Sequence, residues 1–130
     1  MLPNPRWFIP AVILFTLLFY SVVLCHGACL TASWYSVESC RREGTSGVMA
    51  NGRKLDDSKF TAASWDYKFN TKLKVKNIRN GKWVMVRVTD RGPAKRLYRQ
   101  GRVIDLSRAA FHAIESLKKG IVEVEISVVE

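Results

Sequence analysis

The stretch Lys72–Pro93, KLKVKNIRNGKWVMVRVTDRGP, decides the architecture. Lys72, Lys74 and Lys76 alternate with Leu73 and Val75, the period of a strand with one wet face and one buried face. Trp83–Val88, WVMVRV, is a second strand-like run, rich in β-branched and aromatic side chains. Asn80-Gly81 between them is the preferred pair for a tight hairpin turn. The second run stops at Asp90-Arg91-Gly92-Pro93, a turn sequence that leaves an aspartate at the strand's tip. The lysine stripe reads as a solvated face.

Downstream, the loop DRGPAKRLYRQG leads into a strand over Arg102–Leu106. Ser107 is a good helix N-cap, and Ala110, Ile114 and Leu117 follow at helical spacing. Lys118, Lys119 and Gly120 predict where that helix ends. In Ile121–Val129, Val122, Val124, Ile126 and Val128 alternate with Glu123, Glu125 and Ser127, which predicts a half-buried strand. Upstream, Leu30–Tyr35 (LTASWY) favours a strand. The long run SVESCRREGTSGVMANGRK follows, and Gly44, Gly47 and Gly52 argue against continuous regular structure in it. Compact domains keep such loops mainly where they bind or react. Short strands with one helix before the last strand predict a mainly β domain closed into a small barrel.

The chain has 130 residues and a formal net charge of +10, and Arg6 is the only charged side chain before Glu38. An apolar leader therefore precedes a basic domain. Trp7–Leu24 carries no charge, Arg6 supplies a positive n-region, and small residues follow at Gly27 and Ala28. Residues 1–28 are expected to be a signal peptide or a membrane anchor, since roughly 20 apolar residues suffice to span a bilayer. The domain proper is expected over residues 29–130. Export makes nucleic acid a poor partner for the basic charge and leaves anionic envelope polymers. Ala28-Cys29 has the small residue that lipoprotein processing needs, so Cys29 is a candidate lipid anchor; unlipidated, it is a candidate disulfide partner of Cys40 in an oxidising compartment. Cys25, Cys29, Cys40, His26 and His112 match no common zinc spacing, so neither a metal nor a cofactor is expected.

Five short motifs run in order: ASWY at Ala32–Tyr35, ANG at Ala50–Gly52, TAA at Thr61–Ala63, VTDRGP at Val88–Pro93 and GRVIDLSRAAF at Gly101–Phe111. Together they resemble the rare lipoprotein A family across nearly all of the exported part. The resemblance implies a six-stranded double-psi β-barrel with one or two short helices. It also implies a periplasmic or cell-envelope location, peptidoglycan glycan strands as partner, and a link to septal cell-division proteins. Family members include lytic transglycosylases that prefer glycan strands stripped of stem peptides. Such an enzyme protonates the glycosidic oxygen and then takes a proton from the sugar's own C6 hydroxyl, closing an anhydro ring. One carboxyl can serve both steps, whereas glycoside hydrolysis normally divides the work between two.

Asp90 is the first candidate for that carboxyl, since it joins an apolar strand to a rigid turn at the barrel rim. Asp105, within VIDLS, is the second; the similar aspartate of expansin-like domains lines their groove. The competing structural roles are a turn-capping carboxylate for Asp90 and helix-end satisfaction for Asp105. Trp34, Tyr35, Trp65 and Tyr67 are candidate stacking faces for sugar rings, with core packing favoured for Trp34. Asp56 and Arg91 complete the expected substrate-binding set. Lys95, Arg96, Arg99 and Arg102 make the rim beyond Asp90 basic.

Two departures from the family pattern bear on activity. Arg53 stands where active relatives carry a glutamate after the ANG turn, and Ser64 stands where they carry a histidine after TAA. A guanidinium beside Asp90 or Asp56 would hold that carboxylate ionised, the opposite of what a general acid needs. Glu38, Glu43 and Asp66 are then substitute acids. The enzyme reading therefore has a rival: an expansin-like peptidoglycan-binding module without chemistry.

Overall fold

The computed structural model describes residues 30–129. The expected leader, and Cys29 with its lipid or its bond to Cys40, lie outside the described residues. Six strands follow in chain order: β1 (Thr31–Tyr35), β2 (Thr61–Ser64), β3 (Lys72–Asn77), β4 (Trp83–Asp90), β5 (Arg102–Ser107) and β6 (Ile121–Val129). Three short helices interrupt them: α1 (Val37–Arg42), α2 (Lys95–Tyr98) and α3 (Arg108–Ile114). The strands close into a barrel in the order β1-β5-β2-β4-β3-β6. Two pairings are parallel, β1 with β5 and β2 with β4, and the rest are antiparallel. The mainly β barrel expected from the sequence is thus the observed architecture.

The alternation read in Lys72–Asn77 holds residue by residue. Leu73, Val75 and Asn77 are buried, while the lysines point outward, Lys74 with its Nζ 4.8 Å above the Trp83 ring. Val84, Val86 and Val88 from β4, Ile104 and Leu106 from β5, and Val122 and Val124 from β6 fill the interior. Ala110, Phe111 and Ile114 of α3 complete that core.

Three expectations need correction. The turn at Asn80-Gly81 is not a two-residue hairpin, because the connection runs from Ile78 to Lys82 and only Gly81 takes a positive φ there. Asn80 is diverted instead: its Nδ2 donates to the Ile114 carbonyl and its Oδ1 accepts from the Lys82 amide. Those bonds also explain the second difference. The helix ends at Ile114 rather than at Lys119, because both Asn77 and Asn80 occupy the Ile114 carbonyl and Glu115 becomes extended. A separate 3-10 turn, Leu117–Lys119, closes the segment, with Gly120 at φ 70°. Third, the segment expected to be a long loop holds α1, nucleated by a capping box in which Ser36 and Ser39 satisfy each other's amides.

Ser107 does what its N-cap reading required and more. Its Oγ accepts from the Ala110 amide and donates to the Lys59 carbonyl at 2.6 Å, in a fully buried position. Ser107→Ala is expected to lower stability by about 1–2 kcal/mol, through the lost cap and the stranded carbonyl. A urea midpoint that falls with an unchanged slope checks it.

Candidate functional site

The site is built on one row of the sheet. Ser33 on β1 pairs with Asp105 on β5, Asp105 pairs with Ala63 on β2, and Ala63 pairs with Asp90 on β4. Register therefore sets Asp105 and Asp90 on either side of a residue with no bulk beyond Cβ. Two interstrand spacings put their Cα atoms about 10 Å apart. Both line one cavity of about 450 Å³, walled by Ser33, Tyr35, Glu43 and Met49 among others. Gly92 packs against this row, where its φ of +153° is a conformation that side-chain-bearing residues rarely adopt.

Asp90 is half-buried, and donors hold both of its oxygens. Oδ1 accepts from the amides of Ala50 at 2.9 Å and Arg91 at 2.8 Å, and Oδ2 accepts from the Tyr35 hydroxyl at 3.2 Å. The ANG turn is docked by this carboxylate, assisted by the Asn51 amide on the Thr89 carbonyl at 3.2 Å. Asp90 thus performs part of the turn-capping role weighed against it, with Ala50 as the second amide. Asp90→Ala should free the turn, so hydrogen exchange at the Ala50 amide is expected to accelerate by about tenfold or more, the equivalent of at least ~1.4 kcal/mol.

Asp105 is placed differently. It lies inside β5, ahead of the helix, and Ser107 rather than Asp105 caps α3. Its Oδ1 accepts from the Ser33 hydroxyl. Burial pushes its carboxyl above the ordinary carboxylate range, with the charges of Glu43 and Asp90 adding to the rise; the Ser33 bond and Arg102 pull the other way. Burial next to Asp90 likewise raises the Tyr35 hydroxyl far above the ordinary tyrosine value, so it remains a donor at any physiological pH.

The other expected residues separate. Tyr35 and Trp34 both border the cavity, but Trp34 also packs against the core, with its Nε1 on the Leu117 carbonyl at 3.1 Å. Tyr67 also packs against the core. Arg91 reaches the cavity wall, but its guanidinium donates to the carbonyls of Ser64 and Tyr67, both at 2.7 Å, and stacks 4.0 Å from the Phe69 ring centroid. It fastens the loop after β2. Trp65 is exposed, with its Nε1 on the Pro93 carbonyl at 2.7 Å and Lys95 5.2 Å from its ring, in a shallow pocket with Tyr98 and Arg99.

Asp56 and Arg53 lie outside the cavity, in a neighbouring groove. Arg53 makes no ion pair with Asp90 or Asp56; the ion pairs among the described residues join Glu38 to Arg41 and Arg42, and Glu115 to Arg79. The expected electrostatic effect of Arg53 on these acids therefore has no contact to carry it. Asp56 is held below the usual carboxylate range by the Ser58 hydroxyl and amide instead. Ser64 is fully buried, with its Oγ accepting from the Asp66 amide. Of the substitute acids, Glu43 lines the cavity, Glu38 is paired on α1, and Asp66 accepts from the Tyr98 hydroxyl at 2.5 Å.

Ser33 is the polar partner of Asp105 that sequence reasoning missed. The signal was available in ASWY, where Ser33 and Tyr35 share a face by alternation. No cluster of metal-ligating side chains occurs among the described residues.

The model of the lytic transglycolase family matches residues 27–126, nearly the whole barrel. The chain belongs to this family. Among curated lytic transglycolase relatives, the probable endolytic peptidoglycan transglycosylase RlpA of Synechocystis sp. is 39% identical over 99 residues, 76% of this chain and 28% of that protein. The protein of the same name from Aquifex aeolicus is 37% identical over 97 residues, 75% of this chain and 39% of that one. The chain thus spans well under half the length of these relatives. Two solved structures share the fold: a Streptomyces papain inhibitor, with TM-score 0.57 and 23% identity over 78% of this chain and 93% of that one, and a Clavibacter michiganensis expansin, with TM-score 0.54 and 23% identity over 79% and 50%. The double-psi barrel expected from the motifs agrees with the family and with the six-strand topology.

Proposed function

We propose that this domain cleaves peptidoglycan glycan strands lacking stem peptides, as an endolytic transglycosylase of the cell envelope, with Asp105 as its acid and base. The observation that carries this reading is the shared cavity. One carboxyl whose proton affinity is raised by burial faces, across Ala63, a second carboxyl held rigid by amides. Asp105 would donate its proton to the glycosidic oxygen as the C1–O bond breaks, releasing one sugar as an alcohol. The Asp90 carboxylate would face the positive charge developing on the ring. Ionised Asp105 would then take the C6 hydroxyl proton while that oxygen bonds to C1, closing the anhydro ring and restoring the carboxyl. No water is consumed. The order of the two aspartates thus reverses the one expected from sequence, since Asp90 spends its oxygens on three donors.

The same commitment of Asp90 favours one second reading, a glycan-binding module without chemistry. Residues 1–28 would deliver the domain to the envelope as signal peptide or anchor, with Cys29 as the lipid-bearing alternative and septal proteins as recruiting partners. The full chain in mild detergent, incubated with stem-stripped glycan strands, is expected to release anhydro-ended fragments by mass spectrometry. Retained glycan pelleting with no fragments, identical to Asp90→Asn and Asp105→Asn, would establish the binding module instead.

A further inference from the structure

Beside the cavity lies a second, larger groove of about 670 Å³ that the chemistry above does not use. Four cations line it, Arg53, Lys54, Lys59 and Arg87, against the single carboxylate of Asp56. None of the four forms an ion pair among the described residues, and all are exposed. Asp56, kept ionised by the amide and the hydroxyl of Ser58 on its Oδ1 at 2.9 and 2.6 Å, offsets one of the four charges and leaves a surplus of positive charge. Phe60, 51% exposed, adds a flat apolar face on the same wall. A concave surface with a net surplus of fixed positive charge and one open aromatic ring suits an anionic saccharide.

The groove's position narrows the ligand. Met49 lines both the groove and the cavity, so the two share a wall. They are also laid along the same strands. Arg87 pairs with Thr61 in the groove as Asp90 pairs with Ala63 in the cavity, three residues further along β4, or about 10 Å. Arg87 and Asp90 leave opposite faces of β4 by alternation, so a glycan seated across Asp105 and Asp90 would reach the basic groove by crossing the shared Met49 wall. We infer that the groove is a subsite for the free lactyl carboxylates of the muramyl residues in the bound glycan, and that Arg53, Lys59 and Arg87 read them. This rests on the proposed function and deepens it. A stem peptide converts that carboxylate into a neutral amide and would remove the charge the groove recognises.

The test uses the full chain carrying Asp105→Asn, so that binding is read without cleavage. Three ligands are compared by titration at low and physiological salt: stem-stripped glycan, the same glycan with its carboxylates converted to methylamides, and poly(glycerol phosphate). The free-acid glycan is expected to bind about tenfold more tightly than its amidated form, with the difference shrinking as salt rises. Arg53→Ser combined with Lys59→Ser should erase that preference while leaving affinity for the amidated glycan unchanged. Both side chains are exposed, and an unchanged melting temperature verifies the fold. Equal affinity for the two glycans, a preference that survives the double substitution, or tighter binding of the phosphate polymer would each overturn the inference. Failure here is distinguishable from failure of the proposed function: anhydro fragments from the wild type without carboxylate preference remove only the subsite, and preference without fragments removes only the enzyme.

Discussion

Asp105→Asn is expected to lower the rate of anhydro-fragment release by about 10²–10⁴-fold, the usual worth of a positioned general acid and base. Glycan affinity should change little, because asparagine keeps the shape and its carbonyl can still accept from Ser33. The same variant carries a stability signature with the opposite sign. Burial raises the Asp105 carboxyl in the folded state, so the native protein binds a proton there more tightly than the unfolded chain does. Stability contributed by that proton is present below the unfolded value and is lost as pH rises through the raised native value. Wild type should therefore be less stable than Asp105→Asn at pH 7, and the gap should close as pH falls below the ordinary aspartate range near ~4. Wild-type activity should fall over the same upper window, as the acid loses its proton. Thermal melts and rates measured at paired pH values check both. A variant that is less stable at neutral pH, with unchanged turnover, would reduce Asp105 to a structural residue.

Phe111→Ala is expected to cost about 3–5 kcal/mol, the range for removing a fully buried aromatic ring. Phe111 lies on α3 among Ala110, Ile114 and the barrel residues, with no exposure, so a cavity would remain where neighbouring strands cannot collapse. Against a typical domain stability of about 5–15 kcal/mol, that loss leaves a marginal fold. Phe111→Leu should cost less, about 1–1.5 kcal/mol, because most of the volume is kept. The midpoint of chemical unfolding distinguishes the two. Because α3 packs against β1, β4 and β5, which carry Ser33, Asp90 and Asp105, the alanine variant should also lose activity before it unfolds.

Much of the fold was legible because it depends on local period. Lys72–Asn77 alternates as read, and Ile121–Val129 forms the expected strand with Val122 and Val124 buried, although the alternation fades toward its end, where Val128 is exposed. Ser107 read correctly as a cap because its partner is three residues away. What failed depends on distant partners. The helix stops at Ile114 because Asn77 and Asn80, more than 30 residues earlier, take its carbonyl, and no helical period in residues 108–119 records that. Asn80-Gly81 failed as a tight turn for the same reason.

The candidate site divides along the same line. Motif order marked Asp90 and Asp105 one by one, and the family pattern marked Arg53 and Ser64 as departures. Their relation is a matter of register. The parallel pairing of β2 with β4 and the antiparallel pairing of β2 with β5 align both acids on Ala63. The same closure brings Tyr35 to Asp90 and Trp34 to the core, and sends Arg53 to a different groove from Asp90. By itself, the sequence determined which segments are strands, which faces they bury and which family they belong to, since each is written in neighbouring residues. Only the tertiary structure decided that burial raises the Asp105 carboxyl. Desolvation depends on everything packed around a group, and the strands paired on either side of Asp105, β1 and β2, come from distant parts of the chain.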